Sequence, residues 1–123
     1  MRARWVVAAA TMVGIVCSGL RDQALADALF GHDPARIEPD WSRWGIAFFI
    51  NRKCNFDPTI NNELVIATLR NRALAGVPTN APDPPEMAVV NSALPEQLCT
   101  TAMRGFVLAQ AAEAFSYLKA HPK

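Results

Sequence analysis

Histidine is scarce in this chain. There are two, His32 and His121, and neither has a second histidine, cysteine or carboxylate at helical spacing that would complete a metal-binding set. Cysteine is also sparse, at three residues with no C-x-x-C, so dithiol redox chemistry and haem attachment lack their motif. No G-x-G-x-x-G, phosphate loop or G-x-S-x-G elbow occurs. Neither sign of charge dominates, with 12 Lys and Arg against 11 Asp and Glu. A balanced chain has no electrostatic footprint for nucleic acid or anionic lipid, and Arg70 with Arg72 is the nearest thing to a basic cluster. Asp57, Asp83 and Glu86 stand beside prolines, where acids usually shape turns. These absences point away from an enzyme and give no reason to expect a metal or cofactor.

Long apolar runs are missing as well. The longest, Trp5 to Cys17, is about 13 residues, too short to cross a bilayer comfortably. Its context is that of a secretory signal: Arg2 and Arg4 precede it, and Ala24-Leu25-Ala26 offers the small side chains a signal peptidase needs. Cleavage before Asp27 is expected, making residues 1–26 a signal peptide and residues 27–123 one small domain. An uncleaved anchor is the alternative. Lipoprotein processing at Cys17 is disfavoured by Val16, where that chemistry wants Gly or Ala. The alanine-rich run is of a bacterial kind, so the expected compartment is the periplasm, or more generally the secreted space. Cleavage removes Arg2, Arg4, Arg21 and Asp22, three positive charges and one negative, and moves the net charge from +1 to −1.

Two cysteines then remain, Cys54 and Cys99, and in an oxidising compartment an even count indicates a disulfide. A closed loop of about 45 residues is worth roughly 4 kcal/mol in the chain-entropy account. That is a large share of the stability of a small domain.

What is present is helical patterning. A lead-in over 27–39 is punctuated by Gly31, Pro34 and Pro39 and should be mostly loop, with room for a turn of helix at 28–30. A first helix should start at Asp40 as N-cap and run to about Lys53, with Arg52 and Lys53 suiting its C-terminal dipole. A second should run from about Ile60 to Ala75, capped by Asn61 or Asn62 and stopped by Gly76 and Pro78. Its apolar face is Val65, Ile66, Leu69 and Ala73. Four prolines over 77–86 make a stiff connector inside one domain. A short helix over 86–93 follows, then a long one from Pro95 to about Ala120. The apolar face of this last helix changes near Gly105, so a bend there, or a protruding end, is expected. The fold class is therefore all-α: a small disulfide-linked bundle of three main helices plus short ones, with the bridge pinning the end of the first to the start of the last.

The first helix is apolar nearly all round. Trp41, Trp44 and Phe48 share one side, Ile46 and Ile50 the other, and Phe49 lies between. Either it is central in the core, or Trp41, Trp44, Phe48 and Phe49 lend part of its surface to a partner.

A small exported all-helical chain with the single pair Cys54 and Cys99 resembles, in architecture, the periplasmic acid-stress chaperones of the HdeA type. The proline-rich connector from Val77 to Glu86 has no counterpart in that pattern. The expected function is a non-catalytic interaction protein, an accessory or inhibitor subunit whose partner is another envelope protein. The alternative is a holdase-type stress chaperone; a small enzyme or a carrier of an apolar ligand ranks below both.

Overall fold

The computed structural model describes residues 27–122. The signal segment expected over residues 1–26 lies outside them. The described residues are helical with no strand. Five α-helices follow one another: α1 Asp40–Cys54, α2 Asn61–Leu74, α3 Pro85–Ser92, α4 Pro95–Leu98 and α5 Thr101–Ala120. Single turns of 3-10 helix occur at Pro34–Arg36 and Pro58–Ile60, and residues 27–30 form one more helical turn.

Helix α1 starts one residue earlier than a cap at Asp40 would require. Pro39 is the N-cap, and Asp40 is the first helical residue. The Asp40 carboxylate accepts from Arg43 Nη2 at 2.7 Å instead of from the free amides. Asn55 ends the helix in the left-handed region, which asparagine tolerates better than most side chains. Asn51 then fixes the turn into α2. Its Nδ2 donates to the Asp57 carbonyl and to Asn61 Oδ1, and its Oδ1 accepts from the Asp57 amide. Asn61 is thus engaged by α1, and neither it nor Asn62 caps α2. At the other end, Gly76 takes a positive φ of 72°. Its amide reaches the Ala73 carbonyl while the Val77 amide reaches Arg72, a Schellman closure.

Helices α2 and α5 both pack on α1, and on each other. Helix α1 is central: Trp44, Ile46, Ala47 and Ile50 are all out of solvent, although they point in different directions around its axis. Helix α3 covers a further side of α1, and Lys53 Nζ donates to the carbonyls of Val90 and Ala93 at its end. A cation there complements the negative end of the α3 dipole.

The long last helix differs from its sequence reading. The chain breaks at Cys99 and Thr100, not at Gly105. Thr100 is extended and its Oγ1 accepts from the Met103 amide at 3.2 Å, which starts a new helix. From there α5 runs unbroken through Gly105. Its buried residues Met103, Phe106, Val107, Gln110, Ala111 and Ala114 form one stripe. The apparent change of face arose from counting Leu98 and Cys99 into the same helix and from expecting no polar residue at the centre of the stripe.

Gln110 is that polar residue, and it meets the buried Arg43. Arg43 Nε donates to Gln110 Oε1 and its Nη1 to the Ile37 carbonyl at 2.8 Å. Nη2 donates to Asp40 Oδ1 and to Glu113 Oε1 at 3.0 Å. Burial by itself would lower the pKa of the guanidinium. The hydrogen bonds and negative charges of Asp40 and Glu113 outweigh it and hold the pKa above its ordinary value. One side chain thereby ties the lead-in and α5 to α1.

Cys54 and Cys99 form the disulfide, with Cα atoms 5.4 Å apart. It joins the end of α1 to the link between α4 and α5, as the sequence implied.

Candidate functional site

The four aromatic residues of α1 are distributed around the helix. Trp44 is 2% exposed and packs on Tyr117 with ring centroids 5.1 Å apart. It belongs to the core. Trp41 is half-buried, its amide donating to Asn71 Oδ1, with the Arg72 guanidinium 5.0 Å from its ring centroid. Trp41 thus closes the seam between α1 and α2. Phe48 is half-buried and meets Phe49 edge to face at 5.4 Å, with Arg52 over its ring. Only Phe49, at 38%, is exposed. The fold brings Phe48 and Phe49 together at the surface and uses Trp41 and Trp44 elsewhere.

A broader apolar surface lies on α2, on the face that the sequence pattern had pointed inward. Leu64 and Ala67 are the residues of this helix fully out of solvent, whereas Ile66 is 45% and Leu69 60% exposed and Ala73 is exposed too. The expected orientation of α2 is therefore reversed. The cause is the chemistry of its inner side, where Asn61 bonds to Asn51, Asn71 to Trp41 and Thr68 approaches Gly45. Asparagine pairing and the Thr68 methyl join the buried Leu64 and Ala67 in attaching this side to α1, and an apolar stripe alone does not say which way it turns. Asn62, Val65, Ile66, Leu69 and Ala73 then make an outer face without a charged residue.

Beside that face, between the start of α2 and the middle of α5, a cleft of about 360 Å³ is lined by Ile60, Glu63, Leu108, Ala112 and the half-exposed Phe115. The sequence reading passed over Glu63. Glu63 carried a legible signal, an acid one turn into a helix, but nothing in the pattern showed that α5 would shelter it.

Among the described residues no group of three or more His, Cys, Asp or Glu is arranged to hold a metal ion. His32 and His121 are both exposed, and each ring contacts a nearby backbone carbonyl. Among the described residues no helix is long and apolar enough to cross a membrane.

Comparison with protein-family models, curated proteins and solved structures returned no match to this chain. The functional reading therefore stands on the chemistry of these surfaces.

Proposed function

We propose that the protein is a non-catalytic binding protein of the cell envelope, an accessory or inhibitor subunit that docks another envelope protein on the outer face of α2. The observation that carries this reading is the pair Ile66 and Leu69, one turn apart and both exposed on a well-formed helix. A helix that needs only one stripe for its own bundle normally turns charge outward. An exposed apolar stripe on a rigid element suits a partner that buries it. The disulfide is compatible with an exported location, and the signal-like segment before Asp27 supports it.

A photo-crosslinking residue at position 69 in the exported protein tests this, with the same residue at position 96 as an off-face control. One stoichiometric adduct specific to position 69 supports a dedicated partner, and Leu69→Asp should then weaken the complex by about 2 kcal/mol or more. Equal adducts from both positions, or none, would overturn the reading. The holdase alternative draws on a different observation: Phe49, Leu94 and Phe115 are exposed on separate elements. Many weak adducts from both positions, increasing in acid, would favour it.

A further inference from the structure

Between the 3-10 turn at Pro34–Arg36 and α5 lies another pocket, of about 250 Å³. Pro34, Ala102, Phe106 and Ala109 wall it, and Asp33 and Gln110 are its polar lining. Gln110 is only 3% exposed, and chemistry fixes its orientation. Arg43 Nε can only donate, so the Gln110 oxygen must face it, at 2.7 Å. Nε2 therefore turns the other way. It has no hydrogen-bond partner among the described residues, yet unlike Trp44 Nε1 and Tyr117 Oη it is not shut off from solvent. What little of Gln110 is reachable opens on this pocket. The guanidinium draws charge toward the amide oxygen, which makes the N–H a stronger donor. A strong donor held by a buried side chain and left open on a pocket calls for an acceptor.

Asp33 supplies the opposite chemistry. Its Oδ1 accepts from the Ala35 amide at 3.0 Å, and its Oδ2 has no partner among the described residues. A carboxylate ligand would meet Asp33 as a like charge. A cation would leave the Gln110 donor without an acceptor, and a purely apolar ligand would leave both groups unmet. A neutral group that offers a carbonyl oxygen and an N–H together satisfies both. The volume lies below that of ordinary drug-sized sites, so the group is carried on a short stem.

We propose that this pocket binds an uncharged carboxamide on a short alkyl stem, the chemistry of an asparagine or glutamine side chain or of a peptide unit. Its oxygen accepts from Gln110 Nε2, its N–H donates to the Asp33 carboxylate, and its stem lies against Phe106 and Ala109. On α5, Ala102, Phe106 and Ala109 occupy a different side from Leu108, Ala112 and Phe115, which line the α2 cleft. The pocket therefore stands apart from the docking face. Failure to form an adduct at position 69 would leave it untouched, and failure to bind amides would leave the docking face.

The disulfide-bonded chain beginning at Asp27 is titrated with pentanamide, and separately with its isosteres pentanoate and methyl butanoate. The Gln110 side-chain amide, the methyls of Ala102 and Ala109 and the Phe106 ring are followed by NMR. Saturable shifts are expected for pentanamide, with a Kd on the order of 10 mM for so small a probe. Either isostere should bind about fivefold more weakly or worse. N-ethylpropanamide, a secondary amide of the same size, locates the source. Tighter binding than pentanamide points to a peptide backbone, and weaker binding to an asparagine or glutamine side chain.

Two variants complete the test. Gln110→Glu keeps an oxygen for Arg43 and replaces the donor with a second oxygen. Pentanamide binding should fall about fivefold or more, with no loss of melting temperature. Asp33→Asn keeps an oxygen for the Ala35 amide and removes the charge, so pentanoate should come to rival pentanamide. Equal binding of pentanamide and both isosteres, amide binding retained in Gln110→Glu, or pentanoate still excluded by Asp33→Asn would overturn the proposal. No saturable shift with any probe would overturn it too, and leave the Gln110 amide to water.

Discussion

Arg43 donates from Nε to Oε1 of Gln110 at 2.7 Å, joining two buried side chains 67 positions apart in the chain. Truncating the arginine leaves the Gln110 oxygen and the Ile37 carbonyl without their donor. Arg43→Met should therefore cost about 2–3 kcal/mol of unfolding free energy. Gln110→Leu, which leaves the guanidinium its carboxylate partners, should cost about 1–2 kcal/mol. Urea denaturation of the two single variants and the double variant measures both and their coupling. A loss below about 0.5 kcal/mol for Arg43→Met would show that this network does not hold the lead-in and α5 to α1.

The orientation of α2 can be decided by two truncations of the same chemistry. Leu64 has no exposure and Leu69 is 60% exposed. Leu64→Ala should cost about 2–4 kcal/mol, whereas Leu69→Ala should stay within about 0.5 kcal/mol of the wild type. The opposite order would mean that the helix is turned the other way.

Two glycines carry opposite expectations. Gly105 sits inside α5 with open space where a Cβ would be, so Gly105→Ala should stabilise by about 0.5–1 kcal/mol. Gly76 has a positive φ, so Gly76→Ala should destabilise by about 1 kcal/mol even though nothing crowds it. Thermal melts of both variants suffice. A destabilising Gly105→Ala would restore the bend that the sequence suggested.

The helices were legible in the sequence because their punctuation is local. Pro39, Pro58, Gly76, Pro85 and Pro95 sit at or beside helix ends, and the expected spans of the first three helices agree with the structure to within a residue or so. The disulfide followed from the parity of the cysteines that remain once residues 1–26 are set aside as an expected signal. Two readings failed for a shared reason. A hydrophobic pattern gives the period of a helix but not its partner, so a stripe that serves the surface looks like one that serves the core. On α2 the attachment runs through Asn61, Thr68 and Asn71, and on α5 through Gln110, residues that a search for apolar faces treats as outward. The start of α5 depended on Thr100, whose capping role shows only when the chain at Cys99 turns away from helix.

The pH response of Asp57 has a defined sign. A hydrogen bond from the Thr59 hydroxyl, then one from the Thr59 amide, lowers its pKa below the usual aspartate range. A carboxylate with a depressed folded pKa favours the fold above its unfolded value of about 3.9, and that contribution fades as pH falls through the folded value. Thr59→Val removes the hydroxyl and keeps the amide. It should raise the Asp57 pKa part of the way back, as read from the carboxyl carbon shift against pH. An unchanged titration would show that the hydroxyl does not set it.

Reduction of the bridge between Cys54 and Cys99, 45 positions apart, should lower the unfolding free energy by about 4 kcal/mol or less. Denaturation with and without reductant measures the change, and a chain beginning at Asp27 should show no titratable thiol before reduction. A loss near zero would mean that the reduced unfolded chain keeps its two halves together by other contacts.

Leu64 and Ala67 are the residues through which α2 enters the core, and its hold on α1 is completed by side chains on the same inner side. The exposed positions of the outer face consequently have only a small part in deciding whether the chain folds. Positions 62, 66, 69 and 73 form an exposed panel above that scaffold. A designer could use that panel to carry a new binding surface while leaving the architecture untouched.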